Sequence, residues 1–165
     1  MDYKATLDTF AKLITIGTII LFIIIGQKSV RIFISGPNNF TTILSHAGIL
    51  SLLGGVIIYS YLYSPQYYSL NDKELIIHRP ANDIKIKLSD VAKARGIKDN
   101  EMIGTSRTFG IGGLFGYYGN YYIPKIGHVR QYATQQRNRI LIITKQNVKF
   151  IITPNNFNLL DKLIQ

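Results

Sequence analysis

Three histidines, His46, His78 and His128, are scattered along the chain, and no cysteine accompanies them. A transition-metal site gathers several nitrogen or thiolate ligands, often at spacings such as His-x-x-x-His or Glu-x-x-His. Neither spacing occurs, so no metal site and no disulfide is expected. Serine-based acyl transfer would be signalled by Gly-x-Ser-x-Gly, which is missing, and Ser106 falls in a strand-like run. The acidic residues after Ser64 are Asp72, Glu74, Asp83, Asp90, Asp99, Glu101 and Asp161. Most sit at turns or strand ends, where solvation or capping is their ordinary role, and no pair suggests acid–base work. The expectation is therefore a non-enzymatic chain with no cofactor.

The most distinctive stretch is Arg107-Thr-Phe-Gly-Ile-Gly-Gly-Leu-Phe-Gly-Tyr-Tyr-Gly119. A phosphate-cradling loop would need different spacing. Gly110 and Gly112 open a Gly-x-Gly, but Phe115 stands three residues after Gly112, and no Gly-Lys-Ser/Thr ending follows. Glycine interleaved with aromatic residues in a strand context points instead to bulges and close backbone approach. Around this stretch lie Arg107, Lys125, Arg130, Arg137 and Arg139, with no acid between Glu101 and Asp161; Lys145 and Lys149 flank the last hairpin. These seven cations form the candidate binding face, suited to an anionic lipid headgroup or an acidic protein partner. The plain alternative is a solvated face that keeps the domain soluble and oriented. Nucleic acid is not expected, because Tyr117, Tyr118, Tyr121 and Tyr122 read as sheet residues rather than stacking platforms.

The elements that must carry these residues divide at about Ser64. Of 165 residues, 47% are hydrophobic and only 17% charged, and the net charge is +10. Fifteen basic and seven acidic residues follow Ser64, so that part holds +8 of the total. Before it, residues 10–26 form an apolar run about 25 Å long as a helix, with Lys12 placed to snorkel. Residues 43–63 carry no Asp, Glu, Lys or Arg. Helices apolar on every face belong in a membrane or a large core, and little other chain exists here to surround two of them. A cleaved signal peptide fits poorly, since Met-Asp-Tyr-Lys is not distinctly positive and no Ala-x-Ala-like site follows Gly26. The turn cluster Ser35–Asn39 makes the two helices a hairpin; Val30–Ile34 can extend the first helix or lie in the interface. Tyr59, Tyr61, Tyr63, Tyr67 and Tyr68 gather where the second helix ends, either as an interfacial belt or as the start of a strand.

Beyond Tyr67 the period becomes two. Glu74–His78 and Asp83–Leu88 read as strands, the latter with Ile84, Ile86 and Leu88 inward and Lys85 and Lys87 outward. Met102–Phe109 follows, then Arg139–Thr144 and Val148–Thr153 flank a turn at Lys145–Asn147. Pro154 stops the last strand, Asn155 or Asn156 caps, and Phe157, Leu160, Leu163 and Ile164 form one apolar helix face.

Ile86–Val91, the glycine-rich block, Tyr132-Ala-Thr134 and Ile151–Asn155 resemble a bacterial PH-domain family, in its membrane-anchored form with two preceding helices. Within the block, Gly110, Gly112, Gly113, Leu114, Phe115, Gly116 and Gly119 carry the likeness. The resemblance implies a bent antiparallel sheet of about seven strands closed by a C-terminal helix, and a binding scaffold rather than a fixed activity. The expected class is α+β: a transmembrane hairpin over residues 1–63 and a PH-like domain over residues 64–165. The function expected is a membrane-tethered binding module for a protein partner or an anionic headgroup. The alternative is a structural subunit that assembles through its helices, where Gly17, Gly48, Gly54, Gly55, Ser45 and Ser51 would give close contacts, including in a homo-oligomer. Lys4, Lys12, Lys73 and Arg79 flank the termini side and Lys28 and Arg31 the hairpin loop, which places both termini in the cytoplasm of a bacterial inner membrane.

Overall fold

A computed structural model describes residues 1–35 and 39–164; Gly36, Pro37 and Asn38 of the predicted hairpin turn lie outside them. Helix α1 covers Thr9–Ser35 and α2 covers Phe40–Tyr63, both longer than the predicted 10–26 and 43–63. The first gains Val30–Ile34, which continue the helix. The second starts earlier because Asn39 caps it, its Oδ1 accepting from the amides of Thr41 (3.0 Å) and Thr42 (3.3 Å). Both are long and apolar enough to cross a membrane. Their large side chains face outward, Leu52 being 67% and Ile24 60% exposed, so no protein core encloses them. Between the helices lie smaller groups: Ser29 Oγ meets His46 Nδ1 at 3.0 Å, and Leu50 packs over Gly26.

Among the described residues, ten strands flank this hairpin in sequence. Strand β1 (Asp2–Lys4) precedes α1, and β2 (Tyr67–Leu70), β3 (Glu74–His78) and β4 (Ile84–Lys87) follow α2. They form one antiparallel sheet in the order β1-β2-β3-β4. A second sheet contains β5 (Val91–Gly96), β6 (Ser106–Gly113), β7 (Gly116–Ile123), β8 (Gly127–Ala133), β9 (Ile140–Thr144) and β10 (Lys149–Ile152). Its order is β5-β9-β10-β8-β7-β6. The chain is α+β as expected, with more strands than the predicted seven. Two of the additional strands carry weak patterns: Asp2–Lys4 is too short to show a period, and Val91–Gly96 mixes small and charged residues. Residues 2–4 pair with β2 and so join the sheet rather than the hairpin they adjoin in sequence. One pairing also departs from the expected antiparallel set, since β10 runs parallel to β8, while β9, between them in sequence, pairs with the far edge of β10.

The main core lies between the sheets, where Tyr68, Leu70, Leu75, Ile77 and Ile86 meet Ile140, Ile142, Phe150 and Ile152. Leu141, Ile151, Val129, Ile123 and Tyr121 make a second cluster on the opposite face of the larger sheet, closed by Ile97 and Met102. Burial on both faces explains why Ile140–Ile143 is a continuous apolar run instead of an alternating one. Met102, predicted to start a strand, instead ends a short 3₁₀ turn under this cluster, and β6 begins only at Ser106, after Gly104 turns the chain at φ 78°. Helix α3 (Leu159–Ile164) buries Leu159, while Ile164 stays 63% exposed. Phe157 precedes the helix and lays its ring against Gly96, which corrects the expected apolar face.

The glycine block is a β-hairpin, β6 to β7, turning through Leu114 and Phe115. Gly110 and Gly119 oppose each other with φ of 132° and 125°, a region closed to other L-residues. A Cβ on Gly110 would collide with the Tyr118 carbonyl oxygen, and one on Gly119 with that of Phe109. Replacing either residue with alanine should therefore destabilise the full-length protein by about 2–4 kcal/mol in thermal melts in mild detergent. Gly17→Ala, where an added Cβ meets nothing within 4 Å, should leave the melt unchanged.

Candidate functional site

The tip of the β6–β7 hairpin docks on the domain-proximal ends of both helices. Gly113 lies against Ile14, where an added Cβ would stand 3.1 Å from its side chain. Phe115, at φ 55°, donates its amide to Thr15 Oγ1 (2.9 Å), and its ring meets Tyr61 edge-on at 5.7 Å between centroids. Thr15 is buried and donates in turn to the Ala11 carbonyl (2.7 Å). Such contacts hold a left-handed non-glycine residue that would otherwise be costly. Tyr118 donates to the Ser60 carbonyl on α2. Asp8 collects the rest: Oδ1 caps α1 at the Ala11 amide (2.8 Å), Oδ2 accepts the Gln136 amide (3.0 Å), and both oxygens accept from the Tyr117 hydroxyl. One carboxylate thus ties α1 to β7 and to the loop after β8.

Docking leaves part of the larger sheet uncovered. Tyr118, Asn120, Arg130 and Tyr132 share one face, by the register of β7 with β8. The same face continues through Phe150 and Ile152 into the main core. Over β9 and β10 the smaller sheet covers it; over β6, β7 and β8 it meets the end of α2. Three clefts succeed one another there. The first, 410 Å³, lies between Tyr59, Tyr63, Arg79, Phe109 and Asn120. Asn120 also lines the second, 320 Å³, with His128, Arg130 and Lys149. Arg130 also lines the third, 240 Å³, with Lys85, Lys87 and Asp90. Among the described residues, Arg79, Arg130, Lys87 and Lys149 form no ion pair, and Lys85 reaches Glu74 only at 4.0 Å. The groove is positive.

Of the seven cations singled out from sequence, Arg130 and Lys149 line this groove, the latter also donating to the Ile126 carbonyl (2.6 Å). Lys145 is exposed in the neighbouring β9–β10 turn. Lys125 donates to the Asn100 carbonyl (3.3 Å), and Arg139 is paired with Asp99 at 2.6 Å. Arg137 is exposed on the loop after β8. Arg107 lies along Gly112 beside Tyr121, on the edge strand β6. Sequence reading missed Arg79, Lys85 and Lys87 as groove residues. The alternation Ile-Lys-Ile-Lys marked the two lysines as outward-facing, but nothing local shows that the edge strand β4 stands beside Arg130. The family-like glycines 110, 112, 113, 116 and 119, with Leu114 and Phe115, build the docking hairpin.

A second polar chain was equally invisible in sequence. Ser69 Oγ stands 2.6 Å from His78 Nε2, and His78 Nδ1 stands 3.1 Å from Asp83 Oδ2, with Tyr67 stacked on the imidazole at 4.2 Å. The distances match a Ser-His-Asp relay. However, β2 is an interior strand, flanked by β1 and β3, so its amides serve two ladders and supply no oxyanion donors beside Ser69. Here the chain orders the outer face of the small sheet.

Burial pushes the Tyr117 hydroxyl up to about 12, the adjacent Asp8 carboxylate adding to the effect against the Gln136 hydrogen bond; burial also holds Tyr68 at about 12. A raised folded-state value means that the stabilisation is complete below about pH 10, the ordinary tyrosine range, and is lost as pH rises through 12. Spectrophotometric titration should show a fraction of the tyrosinate, that of Tyr117 and Tyr68, appearing only near pH 12. Tyr117→Phe should remove part of that fraction and cost about 1–2 kcal/mol at neutral pH. An unchanged titration and melt would show that Asp8 does not hold this hydroxyl.

Neither the curated proteins nor the solved structures contain a match to the chain. The family model for the bacterial PH domain matches residues 66–165, from just before β2 through α3. PH domains are in general non-catalytic binding modules, in keeping with a sheet scaffold that carries a groove. By this match over most of its length, and by the two-sheet domain with its closing helix, the chain belongs to the bacterial PH domain family.

Proposed function

We propose that the protein is a membrane-tethered, non-catalytic binding module whose groove recognises an anionic group at the bilayer surface. The observation that carries this reading is the docking of the hairpin on α1 and α2 through Asp8, Thr15 and Ser60. A domain joined only by its linker would sample many orientations. Here the contacts set the groove beside the end of α2, within reach of headgroups or of a partner confined to the membrane. Confinement raises effective concentration, so modest affinity suffices. Lys4, Lys12, Lys73 and Arg79 lie toward the termini side against Lys28 and Arg31 on the other, which supports a bacterial inner membrane with both termini cytoplasmic.

One observation favours a second reading, a structural subunit or homo-oligomer assembled through its helices. At Gly48, Gly54 and Gly55 an added Cβ would meet nothing within 4 Å, so these small residues are not consumed by packing within the hairpin. They leave α2 open to close approach by another helix.

The absence of native cysteine makes topology directly testable. In spheroplasts, a membrane-impermeant maleimide should label Phe40→Cys from outside, and Asn158→Cys only after lysis. The reverse pattern would overturn the orientation, and labelling of both in intact cells would overturn the tether. Recovery of one stoichiometric membrane partner by a hairpin variant that lacks the domain would favour the subunit reading.

A further inference from the structure

We infer that the cleft between α2 and the β6–β7 hairpin is a binding site for the phosphodiester of an anionic membrane phospholipid, held by Arg79. The inference rests on the membrane-tethered reading and names the ligand for one end of its groove. Arg79 follows β3, and backbone hydrogen bonds on either side hold that segment beside the end of α2: Ala81 donates to Leu62 O in its last turn (2.9 Å), and Gln66, three residues past the helix, donates to His78 O (2.8 Å). The guanidinium therefore sits beside the terminal turn of an apolar helix. In a bilayer that is headgroup depth, where tyrosines such as Tyr59 and Tyr63 also reside.

The local chemistry agrees with a phosphate. The Arg79 guanidinium lies 5.4 Å from the ring centroids of both Tyr63 and Tyr132, which orient the planar cation. Nε donates to Asn82 O (2.9 Å) and Nη2 to Asn82 Oδ1, while Nη1 makes no hydrogen bond among the described residues. No acidic side chain lines the 410 Å³ cleft. A cation held rigid and without a carboxylate invites an external anion, and arginine matches phosphate oxygens well. The exposed Asn120 amide stands at the opposite wall.

The cleft's remaining surface suits an acyl chain. Tyr59, Phe109 and Ile111 are apolar, and Phe109 is 70% exposed on a strand where water would be its only cover. Contact with lipid accounts for a phenylalanine in that position. Anionic headgroups are preferred over zwitterionic ones because Arg130, Lys85 and Lys87 continue the positive groove beyond Asn120.

The test uses full-length protein in a neutral detergent, with melting followed during titration by dihexanoyl-phosphatidylglycerol, dihexanoyl-phosphatidylcholine or inorganic phosphate. The glycerol lipid should stabilise the protein most, and inorganic phosphate at equal concentration should not. Arg79→Gln should weaken the lipid effect about tenfold, in line with loss of one charged hydrogen-bond donor. Phe109→Asp, at an exposed position that leaves Arg79 in place, should weaken it similarly and keeps the test valid if Arg79→Gln misfolds. Arg137→Gln should behave as wild type. Undiminished lipid affinity in both Arg79→Gln and Phe109→Asp would overturn the site, and equal stabilisation by inorganic phosphate would overturn the lipid assignment. If Arg130→Gln abolishes binding while these two do not, the anion-binding module stands and this site falls. No stabilisation of folded wild type by either anionic probe would remove both.

Discussion

Two strands of the larger sheet approach each other more closely than side chains allow, and much else follows from that approach. Gly110 and Gly119 face one another at φ values that other residues avoid, each where a Cβ would strike the opposite carbonyl. The hairpin can therefore carry Leu114 and Phe115 in its turn and present Gly113, narrow enough to lie on Ile14. A bulkier hairpin could not reach Thr15, and the Phe115 amide would lose its acceptor. With the tip seated, Tyr117 and Tyr118 fall opposite Asp8 and Ser60, and the domain is held to both helices by hydrogen bonds rather than by linker length alone.

That seating decides which surface is available. The smaller sheet covers the larger one over β9 and β10, and the end of α2 borders it over β6, β7 and β8. What remains is a run of clefts that share Asn120 and Arg130 and carry five cations. The charge excess of the chain is thus not spread evenly. Arg139 and Arg95 are consumed by Asp99 and Glu101, whereas Arg79, Arg130, Lys87 and Lys149 have no carboxylate partner among the described residues. The Arg95–Glu101 pair holds the Glu101 carboxyl down at about 2, the mark of a structural ion pair that braces the loop under the second core cluster.

Much of this fold was legible in the sequence because it is written in periodicity. The two apolar runs, the alternation Ile84-Lys-Ile-Lys87 and the final hairpin all appear where the pattern places them. What stayed hidden depends on long-range pairing. Asp2–Lys4 joins β2 across the whole helical hairpin, and β8 pairs with β10 in parallel. Ser69, His78 and Asp83 meet across strands at distances no motif encodes. The candidate site was half visible for the same reason. A run of basic residues without acids drew attention to the C-terminal strands, and Arg130 and Lys149 do line the groove. Arg79, Lys85 and Lys87 arrive from the other sheet, and Asp8, the residue that orients the groove, looks in sequence like a flanking charge before a helix.

The central claim, that the hairpin tip is seated on both apolar helices, is tested most directly by a photo-crosslinking benzoylphenylalanine at position 115 of the protein in its native membranes. The contacts of Phe115 predict an intramolecular crosslink, mapped by mass spectrometry to the peptides that contain Thr15 or Tyr61. Crosslinks confined to other proteins or lipid, with none to α1 or α2, would contradict the account and leave the domain free of its helices.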